Sequence, residues 1–319
     1  MNAQIGGRES FSFLNLPASP TVAGLGGTTC SNTKLGINAI FQQTALLDSM
    51  SNHQVVANFM PFVAGIQTGA AGYAQQLGGG MAAVGVQFVN YGDFKWTDDA
   101  GNVLGSFSAN DVALTFGYAR KQGNITIGSS IKYVNSSIEL YKASALLLEI
   151  GAVFRHPHLP LSFGLNIKNL GLHFKNYTPT DVPNLPLDVQ MGLTFKPQYM
   201  PVRFTLTVHH LHRWDITYYD ISTQKKDLNG NLIDNQPSTV DKIARHLTLG
   251  IEVLLDKNFR ALVGYNHLIR KELSVQNIGG LSGFSFGFVF NTKRIDFSYA
   301  YSSYHVAGGL HSFGVGIKW

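Results

Sequence analysis

The chain has 319 residues, and only 13% of them are Asp, Glu, Lys or Arg, against about 25% in an average soluble domain. Aromatic residues at 12% and 34 glycines exclude a disordered chain, which needs high charge and few aromatics, and a coiled coil, which needs Ala, Glu, Lys and Leu. The net charge of +5 is spread over isolated basic pairs such as Arg120-Lys121 and Arg270-Lys271, so it reads as a solvated rim and no nucleic-acid partner is expected.

The first 53 residues differ in pattern from the rest. Asn2-Ala3 before Gln4 looks like the end of a signal-cleavage site, so an upstream signal peptide is expected to have been removed. Gly24-Leu25-Gly26-Gly27 is a tight loop. It lacks a third glycine at the spacing of a phosphate loop, and no strand precedes it in a βαβ unit. Cys30 is the single cysteine and reads as a neutral thiol without an internal disulfide partner. Residues Ile37 to Leu47 read as a short helix, with Ile37, Ile40, Phe41, Ala45 and Leu47 apolar. Residues 1–53 are therefore assigned as a periplasmic or hatch segment, its candidate residues being Gly24, Gly26, Gly27, Phe41, Leu46 and Leu47. Residues 54–319 are assigned as a barrel.

From residue 54 onward the dominant period is two, the signature of strands with unlike faces. Fourteen segments follow: Val55–Phe62, Ile66–Gln76, Met81–Tyr91, Asn110–Arg120, Asn124–Ser136, Lys142–Arg155, Leu159–Leu170, Leu187–Lys196, Val202–Leu211, Ile243–Leu255, Phe259–Leu268, Leu281–Asn291, Arg294–Ser302 and Leu310–Trp319. In the twelfth, Phe284, Phe286, Phe288 and Phe290 share one face, against Ser285, Gly287 and Val289. Many are near the roughly 9–11 residues that cross a bilayer as a strand. No apolar window is long enough for a transmembrane helix, but a closed barrel pairs every backbone group and crosses without one.

Every second connection is short, as at Lys121-Gln122-Gly123 and Asp256-Lys257-Asn258. Those between are mostly longer: Gly92–Ala109, Gly171–Pro186, His212–Lys242, Ile269–Gly280 and Ser303–Gly309. Short periplasmic turns alternating with longer extracellular loops describe an outer-membrane barrel. The fold class expected is all-β: a transmembrane antiparallel β-barrel of about fourteen strands with an N-terminal hatch. At the chain end Phe313, Val315, Ile317 and Trp319 alternate with Ser312, Gly314, Gly316 and Lys318. That ending resembles the terminal-strand signal by which bacterial outer-membrane barrels are recognised for insertion. Aromatics near strand ends, among them Tyr91, Trp96, Tyr133 and Tyr301, read as interfacial girdles.

Candidate chemistry is sparse. His210 and His212, read as sharing a strand face, are the best metal candidates, but a confident zinc site needs three or four ligands. Interfacial histidines are the better reading, and no metal or cofactor is expected. Asp98-Asp99-Ala100-Gly101-Asn102 lacks the distal Glu of a calcium loop and reads as a hairpin tip. No nucleophile elbow, carboxylate pair or Cys-His pair appears, so the chain is not read as an enzyme.

Ser12-Phe13-Leu14-Asn15-Leu16-Pro17, Gly24-Leu25-Gly26-Gly27 and Ala39-Ile40-Phe41-Gln42-Gln43-Thr44-Ala45-Leu46-Leu47 resemble the opening of the PorV/PorQ barrels of the Bacteroidetes type IX secretion system. Further matches include Ile167-Lys168-Asn169-Leu170-Gly171, His212-Arg213-Trp214-Asp215-Ile216 and Tyr304-His305-Val306-Ala307-Gly308-Gly309. Gln43-Thr44 departs from the family's usual Asn-Pro and puts the shape of that turn in question. These barrels are similar to the fourteen-stranded long-chain fatty-acid transporters. The resemblance implies an outer-membrane anchor for PorZ. Through that complex it implies PorU and PorV as partners, with processed cargo joined to lipopolysaccharide. The long loop is the expected partner surface, with Trp214, Asp215, Tyr218, Tyr219, Lys225 and Lys226. Two other readings stand beside it: a transporter of hydrophobic molecules, and a carrier of cargo signal domains like PorV.

Overall fold

The computed structural model describes residues 9–62, 65–178, 183–217, 238–273, 280–305 and 308–319. Among them fourteen strands form one closed antiparallel barrel. In chain order they are β1 (Gln54–Pro61), β2 (Gln67–Leu77), β3 (Gly80–Thr97), β4 (Val103–Gln122), β5 (Ile125–Ile138), β6 (Tyr141–Arg155) and β7 (Leu161–Lys175). Then follow β8 (Asp188–Phe195), β9 (Val202–Val208), β10 (Leu247–Leu254), β11 (Phe259–Asn266), β12 (Phe284–Asn291), β13 (Ile295–His305) and β14 (Gly308–Lys318). Each strand pairs with its chain neighbours. β1 closes on β14, with Gln54 opposite Lys318 and Phe59 opposite Phe313. Closure leaves no edge strand in the barrel, although the projecting ends of β3 past Asn90, β4 before Ala109 and β7 past Lys168 pair on one side alone.

The alternation read in the sequence is the division between wall and lumen. In β5 the outward Ile125, Ile127, Ile131 and Tyr133 are exposed, while Thr126, Ser130, Lys132 and Ser136 are buried inside. Phe313, Val315 and Ile317 face outward on β14, with Ser312 buried on the inner face. Trp319, just past the strand, stacks on Tyr73 of β2 with ring centroids 6.2 Å apart. A protein that met only water would turn these faces round. Moving each outward Leu, Ile or Phe into hydrocarbon is worth roughly 1.5–3 kcal/mol. Among the described residues no helix is long and apolar enough to cross a membrane.

Each of the fourteen expected segments meets one observed strand, but several ends move. The connection expected over Gly92–Ala109 is mostly strand: β3 runs to Thr97, β4 resumes at Val103, and Phe94 pairs with Phe107. Only the tip at Asp98–Asn102 turns, with Asp98 Oδ1 accepting from the N–H groups of Ala100 and Asn102 at 3.0 and 2.7 Å. β7 runs to Lys175, into the connection expected over Gly171–Pro186. β9 stops at Val208 instead of Leu211. Helix α2 (Thr239–Arg245) takes the expected start of β10, and helix α3 (His267–Glu272) the expected end of β11.

Residues 9–53 contain helix α1 (Pro20–Gly24) and four short 3-10 turns, Ser12–Asn15, Gly36–Phe41, Thr44–Leu46 and Ser49–Ser51. Ser19 caps α1 by accepting from Val22 N–H, with Pro20 in the first turn, where a missing N–H costs nothing. The single helix expected over Ile37 to Leu47 is two separate turns. Between them Gln43 adopts an extended backbone, and its side-chain amide donates to Ala152 O and Leu165 O on the barrel wall at 3.1 and 2.8 Å. Those bonds to distant strands outweigh local helix propensity.

Candidate functional site

The lumen is occupied by this N-terminal segment, and its contacts run around the wall. Phe41 packs over Gly72 and Gly85, and Ile40 over Gly117. The backbone of Ala45 lies against Gly128 and the carbonyl of Cys30 against Gly164, both too close for any Cβ. Strand glycines that look like weak points in the sequence are thus landing places for backbone. Ser162 donates to Ser31 O at 2.8 Å, Asn166 to Gln42 O at 2.9 Å, and Asn266 to Gly26 O at 3.0 Å.

The glycines singled out in the sequence have distinct places. Gly24 lies on Leu262 and Ala300, where a Cβ would fall 2.9 Å from Leu262 Cδ1. Gly26 has φ of +94° and donates to Ser285 Oγ at 3.1 Å, so a side chain there meets both strain and Thr248. Gly27 has φ of +92° and open space around it. Leu46 and Leu47 are buried with Phe41 in the largest apolar cluster.

Two buried carboxylates fasten the segment to the wall. Glu252 of β10 is wholly buried and binds Arg203 of β9 at 2.5 Å and Arg260 of β11 at 3.0 Å. Its Oε2 also accepts from Asn32 at 3.2 Å. Glu149 of β6 accepts from both the backbone N–H and the hydroxyl of Thr44, at 2.9 and 3.2 Å. A third link runs through β1: Ile37 N–H donates to Gln54 Oε1 at 3.1 Å, and the Gln54 amide donates to Asp296 at 2.9 Å, with Lys318 on the same carboxylate at 2.6 Å. Sequence reading missed these groups. Their signal was a charge at an inward position of an otherwise uncharged strand face, as at Glu252 between Gly250 and Leu254.

At the short-turn end the lumen opens into a cavity of about 660 Å³. Lys34, Lys196, Lys257 and Lys293 line it, with Asp48 and Asp256 among its acids. Leu35, Met50, Val56 and Leu254 stand among these charges, so the vestibule has a mixed lining.

The histidines expected to share a strand face do not. His210 follows the end of β9 with φ of +56°, because its N–H turns to Asp188 Oδ1 at 2.6 Å. His212 lies in the following turn, its ring centroid 6.1 Å from that of His210. Among the described residues no group of three or more His, Cys, Asp or Glu is placed to hold a metal ion. The closer pair is His209 and His210, whose Nδ1 atoms are 2.6 Å apart. His246 points its two ring nitrogens at the carbonyls of His209 and Trp214, at 2.7 and 3.2 Å. Burial holds the His209 imidazole well below its usual pKa, with the neighbouring His210 acting the same way.

Of the expected partner loop, Trp214 is exposed. Asp215 binds Lys242 at 2.6 Å and Thr217 Oγ1 at 2.6 Å. The hydrogen bond from Lys242, then that from Thr217, holds its carboxyl down at about 2. Tyr218, Tyr219, Lys225 and Lys226 lie outside the described residues.

No family model matches the chain, and no curated protein matches it in sequence. Solved structures match it in fold. The Ralstonia pickettii toluene transporter TbuX superposes with a TM-score of 0.57 at 10% identity, over 95% of this chain and 98% of its own. The Pseudomonas putida toluene transporter TodX gives 0.54 at 12% identity, over 95% and 97%. At such identities the likeness is one of fold alone: this chain is a closed antiparallel all-β barrel that superposes on TbuX and TodX over nearly its whole length.

Proposed function

We propose that this chain works in the outer membrane of a Gram-negative bacterium as a static barrel that anchors surface proteins. On this reading it anchors the type IX attachment complex through PorZ, with PorU and PorV. The observation that carries this is the packed lumen. Residues 9–53 are held to the wall by buried carboxylates and by backbone seated on strand glycines. The adjoining cavity sets lysines and aspartates among its apolar side chains, so apolar cargo there would meet buried charge. The outward apolar belt and the resemblance of the N-terminal segment support the same reading. The test is co-purification of the intact barrel with PorZ, side by side with a cargo signal domain. Capture of PorZ alone supports anchoring. Capture of the signal domain alone favours a PorV-like carrier.

A second reading, passage of hydrophobic molecules, is favoured by the fold shared with the toluene transporters TbuX and TodX. It expects the intact protein in vesicles to speed toluene or fatty-acid entry. A rate no higher than that of empty vesicles counts against it.

A further inference from the structure

The outer wall of β10, β11 and β12 carries a groove of about 600 Å³ at its long-loop end. Its floor is a cross-strand row of outward side chains, with Leu249 opposite Tyr265 and Tyr265 opposite Phe284. Ile251 and Val263 form the next row toward the short turns. The Tyr265 and Phe284 rings pack with centroids 4.8 Å apart.

Helix α3 begins directly after β11 and brings Arg270 over the head of this trough. The Arg270 guanidinium carbon is 6.0 Å from the Phe284 ring centroid. Gly283 permits the approach, since a Cβ there would fall 2.8 Å from Arg270 Cβ. The nearby Asp241 is engaged by Arg245, His267 and Lys271. Among the described residues no carboxylate pairs with Arg270. A guanidinium presents a planar fork of donors that matches a phosphate. The trough below it is mostly hydrocarbon, the Tyr265 hydroxyl on its floor being engaged by His267 Nδ1 at 2.7 Å, and it faces the same way as the lipid-facing belt.

We propose that this groove holds a membrane lipid whose headgroup carries a phosphate. An acyl chain lies along Leu249, Ile251 and Val263, and the phosphate sits on Arg270. The site rests on the reading of the chain as an outer-membrane barrel.

The test is native mass spectrometry of the full chain released from detergent, with bis-phosphorylated lipid A as the probe. Completely dephosphorylated lipid A, with the same acyl chains, is the control. Retention of the bis-phosphorylated probe falls about tenfold in Arg270→Gln, and to the same level for the control lipid on the wild type, as the loss of a charge-assisted bidentate contact requires. Arg270→Lys recovers part of it, and Val263→Trp, which fills the trough, lowers retention of both lipids. Equal retention by Arg270→Gln, or of the dephosphorylated control, overturns the proposal. So does inorganic phosphate binding as tightly as the lipid. Heat-modifiable gel mobility of each variant reads the barrel separately, so a failed barrel and a failed lipid site give different results.

Discussion

Asn32 of the lumen segment donates to Glu252 of β10 at 3.2 Å, and that carboxylate also neutralises Arg203 and Arg260. The contact joins the segment to a buried charge cluster that the wall needs in any case. Breaking a buried pair by removing one partner leaves the other charge uncompensated, at about 3–5 kcal/mol. Glu252→Gln is therefore expected to lower the stability of the folded barrel by about 3 kcal/mol, with Asn32→Ala much milder. Urea unfolding in vesicles, followed by gel mobility, measures both. Equal effects would show that the cluster does not depend on its carboxylate.

Cys30 offers a direct probe of the seated segment. It is fully buried and is the single cysteine in the chain, with its carbonyl against Gly164 and its sulfur near the Gly192 position. A side chain at Gly164 must push the Cys30 backbone away. The expected outcome is a wild-type barrel inert to maleimide and a Gly164→Val barrel that labels while still migrating as folded. Labelling of the folded wild type at the rate of the unfolded chain would mean that the segment does not stay in place.

The wall was legible in the sequence because one periodicity encodes both strand and side. Where that contrast vanishes, so did the reading. Phe94, Lys95, Trp96 and Thr97 still alternate, but they are exposed on both faces of β3 and lie beyond a register shift after Asn90, where Gly92-Asp93 reads locally as a turn. The premature stop of β9 depends on Asp188 taking the N–H of His210, a partner 22 residues away. The break at Gln43 depends on carbonyls of β6 and β7. Glu252, Arg203 and Arg260 become one cluster only when the register of three strands is known. Local pattern carries the barrel, and long-range hydrogen bonds decide the lumen.

Asp241 clamps α2 to α3. Burial opposes its charge, but hydrogen bonds from His267, Arg245 and Lys271 outweigh it and hold the carboxyl at about 2. Its folded value lies below the unfolded one, so the clamp is fully present above the unfolded value, about 4. It is lost as pH falls through the folded value. Amide exchange in α2 is expected to accelerate in Asp241→Asn at neutral pH and in the wild type only under strong acid. Unchanged exchange in Asp241→Asn would remove the clamp.

The His209–His210 corner responds to acid in a milder range. With Nδ1 atoms 2.6 Å apart, one nitrogen must present a lone pair, and protonating both sets two N–H groups head to head. Burial depresses both imidazoles, so the unfolded corner binds more protons than the folded one below about pH 6.5. Its stability is therefore greatest above that value and falls as pH drops. With both imidazoles taking up a proton on unfolding, protection of the amides that follow β9 is expected to decline by up to about a hundredfold per pH unit below 6.5. His209→Gln should leave the slope of one imidazole, up to about tenfold per pH unit, and replacing His210 by Gln as well should flatten the profile. A slope that persists in the double variant would place the titrating group elsewhere.

The outward row of β14 tests whether the apolar belt meets lipid. Val315 sits between Phe313 and Ile317 on that face and is exposed, opposite Ala57 of β1 and Phe297 of β13. In water a surface Val→Arg change is usually within about 0.5 kcal/mol of neutral. At the middle of a bilayer an arginine on a barrel's lipid face costs about 2–4 kcal/mol, and near the interface close to nothing. Val315→Arg is expected near the upper range and Ile317→Arg, one pair closer to the chain end, below it. Reversible urea unfolding from phospholipid vesicles measures the two costs. Equal, near-zero values would mean that this face does not lie in hydrocarbon, and the depth of the belt would have to be sought elsewhere on the wall.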